Sequence, residues 1–349
     1  MKKIIHTGIA GFGLSGQAFH APLLDLHEGF RIRKVVERKT DKSKVLYPYV
    51  EIVRDFNEIL ADKQIELVVI CTPNTLHYPM VRECLLAGKH VVVEKPFMNT
   101  SADADEIIRL AQSKKKNVFV YHNRRWDGDF LTIQKINKSG VLGYIEYYEA
   151  HFDRYNPVRK RAAWRDEDLP GSGVLYDLGP HLIDQALVLF GKPDSVEADI
   201  QTQRNGSKAD DYFRITLNYP KRKIVLTAGM LVSDPGPRYI IHGIKGSFIK
   251  YGIDPQEAAL RKGKSPEGDG WGQESPEFWG LITIDYDDLN FDGRIETEPG
   301  NYMAFYDNVY DVLVIGAEID VKTEDARDVI RIIELAFESN KSKKIIKLN

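Results

Sequence analysis

Three glycines, spaced Gly11-x-Gly13-x-x-Gly16, are the first residues of the chain whose types and spacing can do chemistry. In such a triplet the first glycine permits a tight turn and the second lets the backbone approach a pyrophosphate. The third allows a helix to pack on the preceding strand. That helix then offers unpaired N–H groups and partial positive charge to phosphates. The triplet follows the apolar run Ile4–Ile9 and precedes a helical pattern near Ser15–Leu26, the setting of a dinucleotide-binding turn. At the end of the second apolar run, Glu37-Arg38-Lys39 carries two opposed signals. An acidic residue there bonds the adenosine ribose 2′-OH and favours NAD, whereas a cation accommodates the 2′-phosphate of NADP. Successive strand residues face opposite sides, so a one-residue change of register exchanges the two readings.

Lys95, Asp177 and His181 form a second group of interest. A histidine titrates near neutral pH and suits proton transfer, and a nearby cation stabilises negative charge developing on oxygen. Asp177 and His181 are four apart and share a face if their segment is helical. Asp184 lies on that face too, so the residue types also suit a metal. Blander readings stand beside these: Glu94-Lys95-Pro96 as a simple turn, Asp177 as a helix cap, His181 as a half-buried histidine.

The elements that must position these groups follow two grammars. Up to Tyr121, short apolar runs (Ile4–Ile9, Ile32–Val36, Leu67–Cys71, His90–Val93, Val118–Tyr121) alternate with helical patterns near Ser15–Leu26, Phe56–Ala61, Leu76–Ala87 and Ala102–Lys114. Such runs suit parallel strands covered on both faces, and the alternation predicts a doubly wound parallel α/β sheet of the Rossmann type over residues 1–121. Asp55 with Glu58 reads as a capping box, and Gly88 as a helix-terminating glycine. After Tyr121 one long helix is predicted over Val174–Phe190, stopped by Gly191 and Pro193. Strands then follow one another at Ser195–Thr202, Tyr212–Tyr219, Ile224–Ala228, Tyr239–His242 and Ser247–Lys250. Residues 122–349 therefore read as an α+β domain, with a mixed or antiparallel open sheet and helices on one face. Lys262–Gly280 reads as a long loop, either a surface excursion or a lid. Helical patterns return at Tyr302–Ile315 and Asp325–Glu338.

Composition bounds the function. The chain has 349 residues with 48 Lys+Arg against 51 Asp+Glu, a net charge of −3, which argues against a general nucleic-acid or acidic-membrane binder. Two cysteines, Cys71 and Cys84, make neither a disulfide framework nor a zinc pattern and point to a reducing, cytoplasmic setting. The start Met1-Lys2-Lys3-Ile4-Ile5 imitates a secretory signal, but His6 interrupts its apolar stretch. No window reaches the ~18 apolar residues that span a bilayer.

Cys71-Thr72-Pro73-Asn74, Val93-Glu94-Lys95-Pro96 and Gly173-Val174-Leu175-Tyr176-Asp177-Leu178-Gly179-Pro180-His181 join the glycine turn in one order along the chain. With these four motifs the sequence resembles the Gfo/Idh/MocA oxidoreductase family over essentially its full length. The stretches Gly13–Leu24, Tyr121–Asp127, Tyr176–Gln185 and Phe248–Glu257 look most like its NADP-dependent scyllo-inositol dehydrogenases. The resemblance implies hydride exchange between a nicotinamide and a secondary carbinol or ketone of a cyclic polyol or sugar, with scyllo-inositol and scyllo-inosose foremost. His181 is then the general acid/base, Lys95 the cation that polarises the reacting oxygen, and Asp177 their hydroxyl-binding or imidazole-orienting partner. No metal is required.

Cofactor contacts implied in the same way are Gly11, Phe12, Gly13, Leu14, Ser15, Gly16, Thr72, Pro73, Asn74, His77, Glu94, Lys95, Trp164, Arg165 and Tyr302. The position selecting the cofactor aligns with Arg38, followed by Lys39, which leans towards NADP, with NAD as the alternative. Asn123 and Arg124 fall near nicotinamide and substrate, or Arg124 and Arg125 make interdomain ion pairs. Tyr155 is placed at the sugar, because polyol pockets favour aromatic faces with polar tips. A homodimer or homotetramer is expected, with a small-molecule substrate and neither nucleic acid nor membrane as partner. Two rival functions are a non-catalytic, nucleotide-dependent sugar sensor and a glycosidase that uses nicotinamide redox transiently.

Overall fold

Short Val- and Ile-rich runs build a six-stranded, fully parallel sheet: β1 Ile5–Ala10, β2 Phe30–Val36, β3 Glu51–Val53, β4 Leu67–Ile70, β5 His90–Val93 and β6 Val118–Val120. Its order is β3-β2-β1-β4-β5-β6, so the chain reverses direction across the sheet between β1 and β4. The computed structural model describes residues 3–158, 167–287 and 289–348. Four of the five predicted strands agree with it to within a residue at each end, and β2 begins two residues earlier. Only the three-residue edge strand β3 has no counterpart in the apolar pattern. The predicted helix near Ser15–Leu26 is a π turn, Gly16–His20, followed by an α-helix, Ala21–Leu26. Pro22 sits at the start of that helix, where a missing N–H costs least. The Asp55/Glu58 cap forms: Glu58 Oε1 accepts the Asp55 N–H at 3.1 Å, and Asp55 Oδ1 accepts from Asn57. Gly88 takes φ +72° after the helix His77–Leu86.

The chain divides into two units, and the first is not one stretch. It comprises Met1–Trp126, Pro255–Trp271 and Asn301–Arg327, and thus extends beyond the 1–121 stretch expected from sequence. The reason is an apolar stripe on the helix Met303–Ile315 and the residue before it. Tyr302, Phe305, Tyr306, Val309 and Val312 share one buried core with Phe12, Leu23, Leu24, Phe30 and Tyr121. Burying each of these large side chains contributes about 1.5–3 kcal/mol, enough to hold the returning segment.

The second unit comprises Asp127–Asp254, Gly272–Gly300 and Asp328–Asn349. Its strands are β7 Ile145–His151, β8 Ser195–Gln201, β9 Tyr212–Tyr219, β10 Arg222–Gly229, β11 Tyr239–Gly243, β12 Gly246–Lys250, β13 Gly280–Tyr286, β14 Leu289–Ile295 and β15 Ile346–Lys347. They pair in the order β14-β13-β12-β11-β7-β10-β9-β8-β15, parallel at β7/β10 and antiparallel elsewhere. The expected mixed sheet is therefore present. Tyr148, Ala150, Phe213, Ile215, Leu217 and Leu226 are buried on the face that receives the helix Gly173–Phe190. The helix Gly128–Ser139, strand β7 and the β13/β14 hairpin were not singled out by sequence. The predicted loop 262–280 is divided. Trp271 Nε1 donates to Gln256 Oε1 (3.3 Å) in the first unit, while Glu274 pairs with the buried Lys250 (2.8 Å) in the second.

Candidate functional site

The glycine turn leaves β1 at Gly11, whose φ of +97° only glycine adopts readily. A Cβ at Gly16 would lie 2.6 Å from the Gly11 carbonyl oxygen, so the third glycine brings the turn and the π turn together. A Cβ at Gly13 would meet nothing within 4 Å. The middle glycine therefore answers no need of the fold and leaves open space beside the backbone. Phe12 is buried, while Leu14 is 54% exposed.

The carboxylate of Glu37, just past the end of β2, is taken up by the loop that follows it. The Glu37 side chain is buried and turned into that loop, accepting hydrogen bonds from Thr40 Oγ1, Lys42 N (3.1 Å) and Ser43 N (2.7 Å). Burial alone would raise this carboxyl, but the bonds at Ser43, Thr40 and Lys42 outweigh it and hold it below the usual carboxylate range. Arg54 bonds the Glu37 carbonyl (2.6 Å) and that of Thr40 (2.8 Å), closing the loop. Arg38 and Lys39 are exposed.

After β5, the Glu94 carboxylate is held by Ser15 Oγ, His20 Nε2 (3.1 Å) and the Lys95 N–H (3.1 Å). Burial pushes this carboxyl up, but the His20 and Ser15 bonds and the nearby Lys95 cation prevail, bringing it down to about 2. Lys95 is half-buried. His77, fully buried, sets Nδ1 2.9 Å from the Pro96 carbonyl and Nε2 3.1 Å from that of Thr72. The ring thus sits between the loop after β4 and the loop after β5, with one N–H to donate to either carbonyl, and burial pushes its pKa down. Thr72 Oγ1 reaches Met80 Sδ at 3.6 Å, and Asn74 is buried. Asn123 and Arg124 are buried in the same unit, where Arg124 pairs with Glu257. Arg125 donates to the Asp320 carbonyl at 2.8 Å. Both arginines thus have partners within the first unit. Tyr302 is fully buried in its core.

In the second unit, Asp177 and His181 lie on one continuous helix, Gly173–Phe190, and so share a face despite Pro180 inside it. Asp177 is not the cap of this helix. Asp210 takes that part: its Oδ2 accepts the Leu175 N–H at 2.7 Å, and its carbonyl accepts from Val174 at 2.9 Å. Gly173 has φ +89°, and a side chain there would overlap the Asp210 carboxylate. Burial lifts the Asp210 carboxyl to about 6. Asp177 pairs with Arg154 at 3.8 Å, a partner for which sequence held no signal. His181 is 6% exposed, with its ring 6.4 Å from that of Phe152. Tyr155 is 63% exposed and bridges to Leu231. Among the described residues no group of three or more His, Cys, Asp or Glu side chains is arranged to hold a metal. Trp164 and Arg165 lie outside the described residues.

Residues 5–122 match the model of an oxidoreductase family NAD-binding Rossmann fold, and residues 135–348 match that family's C-terminal alpha/beta domain. The chain belongs to the Gfo/Idh/MocA oxidoreductase family. It is 45% identical over 347 residues to scyllo-inositol 2-dehydrogenase (NADP(+)) IolW of Bacillus subtilis, covering 99% of this chain and 96% of that one. An oxidoreductase from Bacillus cereus of known structure superposes with a TM-score of 0.91 at 36% identity, with 99% of each chain covered. D-glucoside 3-dehydrogenase of Escherichia coli is 26% identical over 192 residues, 54% of this chain and 55% of that one. The chain is thus an oxidoreductase with an NAD(P)-binding Rossmann unit. Among its described residues no helix is long and apolar enough to cross a membrane.

Proposed function

We propose that this oxidoreductase is an NADP(H)-dependent dehydrogenase of a cyclic polyol or sugar, with scyllo-inositol and scyllo-inosose as its first pair. The observation that carries the reading is the Asp177–His181 pair on one helix face, in a chain whose full-length relative IolW bears that activity in its name. Glu37 supports the choice of NADP: its carboxylate is occupied by the loop 40–43, which leaves the exposed Arg38 and Lys39 for a 2′-phosphate. The open space at Gly13 fits a pyrophosphate approached by backbone.

The bound nicotinamide supplies a hydride acceptor in one direction and a donor in the other. Lys95 polarises the reacting oxygen, favouring alkoxide character as its proton leaves. His181 takes that proton on a ring nitrogen and returns it in the reverse direction. Asp177, with Arg154 beside it, orients the imidazole or a substrate hydroxyl. Tyr155 offers an aromatic face to the ring. A cytoplasmic location and a homodimeric or homotetrameric assembly belong to the same proposal.

The test is an absorbance screen of inositols, aldoses and D-glucosides with NADP and NAD. The expected result is turnover of scyllo-inositol with NADP, and tighter NADPH than NADH by fluorescence. Arg38→Ala weakens NADPH about tenfold while sparing NADH. No nicotinamide turnover with any polyol would favour the sensor, and glycoside cleavage without net cofactor turnover would favour the glycosidase.

A further inference from the structure

His20 ends the π turn that follows the glycine loop, and its side chain is fully buried. Nδ1 lies 2.6 Å from the Tyr306 hydroxyl and Nε2 lies 3.1 Å from Glu94 Oε1. The imidazole rests against the ring of Tyr121 at 4.3 Å. Tyr306 comes from the returning helix Met303–Ile315, so distant parts of the chain meet in one hydrogen-bonded line. Burial drives the Tyr306 phenol well above its usual pKa, so its O–H is a standing donor. If Tyr306 donates to Nδ1, the Nε2 proton is left to donate to Glu94, the logic by which one ring nitrogen's partner sets the state of the other.

The Glu94 carboxylate has about four acceptor positions. Ser15 and His20 take two at Oε1, and the Lys95 N–H takes one at Oε2. Among the described residues, one position at Oε2 is left on a side chain that is 12% exposed. The groups around this carboxylate are Ser15 and His20 from the turn, Cys71 after β4, His77 from its helix, Lys95 beside it, and Tyr121 and Tyr306 behind His20. Burial raises the Cys71 thiol and lowers His77, so neither supplies charge at neutral pH.

We propose that Tyr306 and His20 are positioning residues, a relay that fixes the rotamer of Glu94 and reserves its Oε2 for a ribose hydroxyl of the bound dinucleotide. The inference rests on the dinucleotide reading of this unit. Without the His20 donor, burial dominates at Glu94 and carries its carboxyl upward, so binding acquires a dependence on pH that a loss of packing alone does not produce.

NADPH fluorescence titration of the full chain between about pH 5 and 9 tests this, using His20→Ala, His20→Gln and Tyr306→Phe. The readout is the ratio of variant to wild-type affinity at each pH, which cancels titration of NADPH itself. His20→Ala weakens binding about tenfold at neutral pH, and its ratio worsens as pH falls. His20→Gln keeps an N–H donor towards Glu94 and restores most of the affinity with a flat ratio. Tyr306→Phe weakens binding about threefold. If His20→Ala does not fold, the other two variants decide the matter. The relay is overturned if wild type binds while Tyr306→Phe and His20→Ala stay within about twofold of it at every pH. It is also overturned if His20→Gln binds as weakly as His20→Ala. Binding of neither NADPH nor NADH by wild type removes the dinucleotide reading itself, and the relay with it.

Discussion

Three buried carboxylates, Glu37 and Glu94 in the first unit and Asp210 in the second, meet opposite fates. In the first unit, Glu37 and Glu94 each gather three donors, and the bonds outweigh the cost of burial, so both are held ionised. In the second, burial is the largest influence on Asp210, and with the neighbouring Asp211 charge it prevails over the backbone N–H groups of Leu175, Asp210 and Val174, lifting the carboxyl to about 6. The lesson is that a buried acid is not one kind of feature. Near the glycine turn the ionised state is secured before any ligand arrives. At the helix of Asp177 and His181, one carboxylate anchors backbone N–H groups and bears part of the desolvation cost.

The sharpest test of the comparison is chemical. Lys95→Ala and His181→Ala, one from each unit, are expected to cut turnover by about 10²- to 10⁴-fold while NADPH still binds. Steady-state rates and fluorescence titration check this, and unchanged turnover in both variants would sink the assigned mechanism. Glycine offers the next contrast. Gly173→Ala places a side chain at φ +89° against Asp210 and should cost on the order of 2–4 kcal/mol in urea melts. Gly13→Ala, with open space around it, should leave the melt unchanged and weaken NADPH about tenfold or more. Equal effects on stability would break the distinction between a glycine kept for the fold and one kept for a ligand.

The mildest test is pH. Folded Asp210 titrates at about 6 against an ordinary 3.8, so the folded state binds the proton more tightly. Its contribution to stability therefore falls as pH rises from about 4 to about 6, by roughly 2–3 kcal/mol. Glu94, at about 2 against 4.5, contributes stability above pH 4.5 that is lost as pH falls towards 2. Asp210→Asn should remove the first slope and leave the second, as read from melts across that range. A slope through pH 4–6 that persists in Asp210→Asn assigns it to another group.

The parallel sheet was legible because strands covered on both faces are written as unbroken apolar runs, such as His90–Val93. β3 was not, being three residues long at an edge. β7 escaped notice because Glu146, Glu149 and His151 interrupt its apolar run, although Tyr148 and Ala150 are buried. β14 carries Asn290, Asp292 and Arg294 and is exposed almost throughout. At the site, the three glycines were readable from spacing alone. The direction of Glu37 was not, since it depends on how the loop 40–43 folds back. Nor was the meeting of His20 with Tyr306, 286 positions apart, for which no local pattern exists.

The stripe of Tyr302, Phe305, Tyr306, Val309 and Val312 also constrains synthesis. While these residues are still untranslated, Leu23, Leu24 and Phe30 lack the cover that the finished protein gives them. The core of the nascent dinucleotide unit therefore cannot close until the segment Met303–Ile315, about 270 positions downstream of Phe30 by the numbering, has been made.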